Sequence, residues 1–263
     1  MTANNLLDDL GGMLLAGTIE VVDLTCILGP DTPIFQKSTD PAKAAPKIEI
    51  NKISEYDADG PFFAWNWMVL SEHSGTHFVA PHHWTTGKDH TDGYTDGIPE
   101  QNFVAPMNVI DCSDQVAKNP DYLLSEKAVK IWEREHGEIH QGDWVVMRSD
   151  WDRYSNDPAN FLNISETGAH FPGPSVDCIE YILSKGAVGW GSQCGSTDAG
   201  QANKMTPQFP AHSLMHRSNR YGLAGLVNLD KLPAKGAILI AAPLKIENGT
   251  GSPVRALALI PKG

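Results

Sequence analysis

Pro174-Ser175-Val176-Asp177-Cys178-Ile179-Glu180-Tyr181-Ile182-Leu183-Ser184-Lys185-Gly186-Ala187-Val188-Gly189-Trp190-Gly191 reads as a helix that runs directly into a strand. Ser175 is placed to cap the helix, Val176, Ile179, Ile182 and Leu183 recur on one helical face, and Gly186 ends it. The short apolar run 187–191 has the pattern of a buried strand. Outward from this step, a second helix starts near Ser125, carries Ala128, Val129, Ile131 and Trp132, and stops at Gly137. Strand signals, mostly short, β-branched and bounded by Gly, Pro or Asp, fall at 19–24, 65–70, 104–111, 144–148, 187–191, 237–242 and 255–260. Strands with helices set between them indicate an α/β fold.

The 263 residues suit one domain, 1–263, and the 41% hydrophobic content is too apolar for a disordered chain. A net charge of −12 with no Lys/Arg cluster argues against a nucleic-acid partner. The longest apolar runs, 237–243 and 256–260, fall well short of a bilayer span, so no membrane partner is expected. Asp8 and Asp9 precede the short apolar run 13–16 with no basic segment before it, which is not a signal-peptide pattern; a cytoplasmic protein is expected. Cys26, Cys112, Cys178 and Cys194 are far apart with no Cys-x-x-Cys pair, and are expected to be reduced and mostly buried, Cys194 included.

The segment 30–61, rich in Pro, Lys, Asp and Ala, reads as one long irregular piece, either an arm or lid or a plain surface excursion. After it comes a concentration of histidine: His73, His77, His82 and His83 fall within eleven residues. Neutral imidazole is the commonest protein metal ligand and titrates near physiological pH, so such a group suits coordination or proton transfer. His90, His136, His140, His170 and His216 stand alone and are read as ordinary core or surface residues. Gly75, Thr76 and Pro81 speak against a helix through His73 and His77 and for a sharp turn in which both rings converge. Phe62, Phe63, Trp65, Trp67, Phe78 and Trp84 flank the cluster, as a pocket for a flat ring requires, although such aromatics serve a core equally well.

The run His73-Ser74-Gly75-Thr76-His77-Phe78-Val79-Ala80-Pro81-His82-His83 resembles the signature of the cyclase-like amidohydrolases, the group of kynurenine formamidase and isatin hydrolase, His-x-Gly-Thr-His-x-Asp-x-Pro-x-His. Val22-Asp23-Leu24-Thr25, Gly191-Ser192-Gln193-Cys194-Gly195-Ser196-Thr197-Asp198, His212, and 242–246 with 252–256 extend the resemblance over nearly the whole chain. It implies a swivelling β/β/α fold, with a central mixed sheet curled toward a barrel and flanked by helices, and assembly as a homodimer or homotetramer. It implies one divalent metal ion on His73 and His77, with His83 as general base or proton shuttle. A metal-bound water of lowered pKa would attack the amide carbonyl, and His83 would move the proton to the departing nitrogen.

Val79 stands where the family carries an aspartate ligand. Valine cannot ligate, which leaves three readings: another ligand is recruited from His82, His212, Gln208 or Asp198; the enzyme is disabled by substitution; or the function has changed. Val227 and Asn228, where two-metal relatives offer a glutamate, disfavour a second ion. The segments 63–67, 83–89 and 228–233 resemble the isatin hydrolase branch, which implies manganese, with zinc as the alternative, and opening of isatin or a related bicyclic amide. Gln208 is added as a candidate ligand, and Phe63, Trp65, Trp84 and His212 as substrate-binding residues. Arylformamidase or lactonase activity, and a small-molecule binding protein without catalysis, are the alternatives. Asp143, Asp150 and Asp152 read as a strand end and polar turn. Residues 191–200 lack both Gly-x-Gly-x-x-Gly and a Walker lysine, so they are not a phosphate cradle.

Overall fold

The computed structural model describes residues 3–35 and 44–262. Its centre is a nine-stranded sheet. In chain order the long elements are helix α1 (Ala3–Ala16), strand β1 (Ile19–Asp23), the hairpin β2 (Glu49–Glu55) and β3 (Ala64–Val69), then β4 (His77–Val79) and β5 (Val104–Asp111). Helices α2 (Ser113–Lys118) and α3 (Glu126–His136), strand β6 (Trp144–Arg148), helices α4 (Pro158–Leu162) and α5 (Val176–Ser184), and strand β7 (Gly189–Ser192) follow. Strands β8 (Tyr221–Ala224), β9 (Ala237–Ile240), β10 (Gly251–Pro253) and β11 (Leu257–Pro261) complete the sheet. Its order is β1-β11-β9-β5-β6-β7-β8-β4-β10. The pairs β5–β6, β6–β7 and β7–β8 are parallel, and the flanking pairs antiparallel, so the sheet is mixed.

Central strands are buried on both faces because apolar side chains alternate between two cores. On β6, Trp144 and Val146 enter one cluster with Phe78, Leu223 and Leu239, whereas Val145 and Met147 enter the other with Ile179, Ile182 and Trp190. Gly189 sits beside Trp144 because any side chain there would strike the indole: a Cβ would lie 2.3 Å from it. Helices α3 and α5 cover the second face. Ser125 and Ser175 each cap a helix, accepting from the backbone N–H three residues on, a contact worth about 1 kcal/mol. Trp132 on α3 donates its indole N–H to Val109 O at 2.9 Å, which ties that helix to β5.

The structure departs from the sequence reading in three places. Part of the long irregular piece is the seven-residue strand β2, paired with β3 in a separate two-stranded sheet; residues 36–43 of that piece lie outside the described residues. Only the fragment 13–16 of α1 drew notice, yet its Leu6, Leu7, Met13 and Leu15 extend a largely exposed helix. The segment read as a turn ends sooner than expected, at Thr76, and His77 already belongs to β4, with β8 on one side and β10 on the other.

Candidate functional site

Strand β4 is three residues long, and its alternation sorts the chemistry. Phe78 points into the core against Tyr221, Phe103 and Trp144, while His77 and Val79 share the opposite face. Gly75, with φ of +58°, makes the preceding turn; a Cβ there would lie 2.3 Å from Leu28. Thr76 locks it from two sides. Its hydroxyl donates to Gly225 O at 2.5 Å and accepts from Cys26 N–H at 2.9 Å.

Each imidazole of the turn has an anchor. His77, 5% exposed, donates Nδ1–H to Gly75 O at 2.8 Å, because a carbonyl only accepts, which turns Nε2 away as the ligating edge. His73 Nε2 lies 3.2 Å from the Thr250 hydroxyl, which donates to Glu72 at 2.6 Å and therefore accepts from His73. The His73 ring is 5.2 Å from that of His77 and 4.0 Å from that of His83, so three imidazoles converge. His83 comes from the short turn Pro81–His83. Beyond it Trp84 and His212 lie 4.8 Å apart, and His212 is 5.6 Å from His83. Phe209, which the sequence reading missed, lies edge-on against Trp84 at 5.4 Å.

The donor set for a resident metal ion stops at two imidazoles. Val79 is 2% exposed and aliphatic, paired in register with Gly222 and Gly251. His82 faces away, stacked on Tyr94 with its Nε2 at 2.5 Å from the phenol. Gln208 is exposed and donates its amide to Asn203 O at 2.7 Å. His212 and Asp198 are bonded to each other at 2.5 Å. Among the described residues, no group of three or more His, Cys, Asp and Glu side chains is arranged to hold a metal ion. The residues present thus do not complete a metal site.

Other candidates separate in the same way. Phe63 and Trp65, expected to bind substrate, lie on the β2–β3 hairpin, 47% and 55% exposed, edge-on to one another at 6.2 Å. Cys194 is buried, its Sγ 3.6 Å from Pro172 O, and burial drives its thiol far above the ordinary range, so it is no nucleophile. Asp143 accepts from Asn108 at 2.8 Å, and Asp150 and Asp111 hold Arg148 at 2.8 Å each. These carboxylates are structural.

A small cavity of about 20 Å³ adjoins His73 and His77, lined also by Cys26, Phe35, Gln193 and Val227. Gln193 Oε1 accepts from the N–H groups of Ser149 at 2.6 Å and Asp150 at 2.8 Å. That fixes which end of the amide is nitrogen. Gln193 lay inside the Gly-rich motif without a role of its own, and no sequence signal marked Thr250 or Glu72, which meet across 178 residues.

A family model described as putative cyclase matches residues 22–199. The chain belongs to the cyclase family. This cyclase-family chain is 66% identical over 262 residues to an isatin hydrolase of Roseibium aggregatum, covering 100% of both chains. A crystal structure of an isatin hydrolase bound to the product analogue thioisatinate superposes with a TM-score of 0.98 at 66% identity, again over 100% of both chains. More distantly, the chain is 27% identical over 190 residues to a kynurenine formamidase of Geobacillus thermodenitrificans, covering 72% of this chain and 77% of the relative. The mixed sheet with its helices is the fold of the isatin hydrolases.

Proposed function

We propose that this chain hydrolyses a cyclic amide of the isatin type, opening the lactam to the amino acid, isatin to isatinate. One observation carries the reading: His73, His77 and His83 converge beside Trp84 and His212 in a chain 66% identical, end to end, to an isatin hydrolase. His83, half-buried and 4.0 Å from His73, is the base for the attacking water. Trp84 supplies an aromatic wall for the bicycle. The cofactor in this reading is one divalent ion, manganese first and zinc second, with His73 and His77 as donors; Gln208, expected as a further ligand, is held by Asn203 instead.

The assembly belongs to the same proposal: a homodimer or homotetramer in which the exposed aromatics Phe63 and Trp65 of the hairpin reach a neighbouring subunit. So does a cytoplasmic setting, which four unpaired cysteines suit. The test is metal content after purification without chelator, together with ring opening of isatin and hydrolysis of an N-formyl anilide, for this chain and for Val79→Asp. Turnover of isatin by this chain supports the assignment, and turnover by Val79→Asp alone makes this chain a disabled hydrolase. Turnover of the formyl anilide alone moves it to the arylformamidases, whose 27% identical relative keeps that reading alive. Val79 favours one further alternative, a protein that binds an aromatic bicycle without turning it over, and tight binding with no turnover in either chain would establish it.

A further inference from the structure

Asp198 and His212 make a pair to which the function proposed above gives no chemical step. Asp198 is 1% exposed and lies in the loop after β7. One carboxylate oxygen accepts the Ala211 N–H at 2.7 Å; the other accepts the His212 N–H at 3.1 Å and the His212 Nδ1 at 2.5 Å. A buried carboxylate on Nδ1 keeps a proton on that nitrogen in either charge state, so Nε2 is the edge that gains and gives a proton. The irregular turn Ala211–Met215, a π-helix, presents the ring between Trp84 at 4.8 Å and His83 at 5.6 Å. Facing it on the other sides are the Thr197 hydroxyl, 3.4 Å from Nδ1, and the buried ring of His216 at 5.6 Å, which burial and His212 itself keep neutral.

We propose that His212, oriented by Asp198, is the acid that protonates the departing nitrogen, while His83 takes the proton of the attacking water. The proposal rests on the ring-opening function above. Attack and departure occur at one carbon but on different atoms, and a single imidazole serving both would have to swing between them. Two imidazoles on separate elements need not move. In the step, the water oxygen bonds to the carbonyl carbon and one water proton passes to His83. The C–N bond then breaks with its electron pair on nitrogen, and nitrogen takes the proton from Nε2 of His212. The new carboxylic acid releases its proton to solvent, and the proton on His83 passes to His212 to reset the pair. Asp198 touches no reacting atom; it is a positioning residue.

The experiment pairs a cyclic amide with the lactone of the same ring, whose oxygen leaves without an acid. Each is assayed with native protein, His212→Asn, Asp198→Asn and His83→Asn, in this chain and in a Val79→Asp background, with the Tm of each variant as the folding control. His212→Asn is expected to lower kcat on the amide by about 10²–10⁴-fold with KM within about threefold, and kcat on the lactone by less than about tenfold. Asp198→Asn should follow in the same sense with a smaller loss, and His83→Asn should lose both substrates. Equal losses on amide and lactone from His212→Asn, or a raised KM with unchanged kcat, would overturn the proposal and make His212 a pocket wall. If native and Val79→Asp chains open neither ring, the ring-opening function itself fails and takes the proposal with it. A proton spectrum separates the geometry from the chemistry: a far-downfield Nδ1–H signal that Asp198→Asn removes supports the pair, and its absence from native protein overturns it.

Discussion

The histidine turn and the β2–β3 hairpin are neighbours in sequence and opposites in construction. In the histidine turn two side chains are tied to elements far along the chain: Thr76 holds Gly225, and His73 leans on Thr250, which in turn donates to Glu72. The hairpin pairs with itself, and Trp65, Trp67 and Met68 stay more than half exposed. A polar site is rigid when its hydrogen bonds converge from several elements, whereas an apolar ribbon without a covering layer keeps its shape only locally. Chemistry sits on the first, and the second is suited to meeting something else.

The sharpest way to break this contrast is at Val79. Val79→Asp should raise affinity for a divalent ion by about a hundredfold or more, at least the scale that orienting partners of a metal site contribute, read by calorimetric titration with manganese and zinc. An unchanged isotherm would mean that the two imidazoles alone set the affinity. Thr76→Val should cost about 2 kcal/mol, because the Cys26 N–H loses its buried acceptor along with the tie to Gly225. Urea unfolding measures it, and a loss below about 0.5 kcal/mol would show that the turn does not depend on this lock.

His216 tests the buried side by pH. Burial, with His212 nearby, holds its pKa down to about 3, below the ordinary value of about 6.5. The unfolded chain therefore binds a proton that the folded chain refuses. Stability is full above about pH 6.5 and declines as pH falls toward 3, by about 1.4 kcal/mol per pH unit for that one proton. Unfolding free energies from pH 7 to 4 should show a slope that His216→Gln flattens. The smallest effect is expected on the hairpin. Trp65→Ala should change unfolding by less than about 0.5 kcal/mol, as an exposed position does, yet shift the oligomer equilibrium measured by light scattering. A large loss of stability with unchanged assembly would mean that the hairpin is internal support.

What the sequence disclosed follows the range of the interactions involved. The helices Glu126–His136 and Val176–Ser184 were legible because caps, periodicity and terminating signals lie within a dozen residues. Strands 104–111 and 144–148 were legible because β-branched runs mark a sheet interior. Strand β4 was not, since three residues carry no period and its strand character comes from Ala224, Gly222 and Gly251. His73, His77, His83, Trp84 and His212 were found as residues, and the structure brings them together. The tie from Asp198 to His212 spans fourteen residues and became visible only once the loop after β7 was folded back. Strand β2 was hidden by its polar sequence Glu-Ile-Asn-Lys-Ile-Ser-Glu, which an exposed ribbon tolerates and a sheet interior would not.

The glycines on either side of Val79 constrain how this protein can diverge. At Gly251 a methyl group would come within 2.4 Å of the His73 ring, and at Gly222 within 2.9 Å of Thr197. Neither position accepts a larger residue without displacing a neighbour. Of the three residues in that row, only position 79 carries a side chain, and it is buried. A saturation library across 222 and 251 should return little besides glycine at either, so the route between an ion-binding and an ion-poor descendant runs through the single codon of position 79.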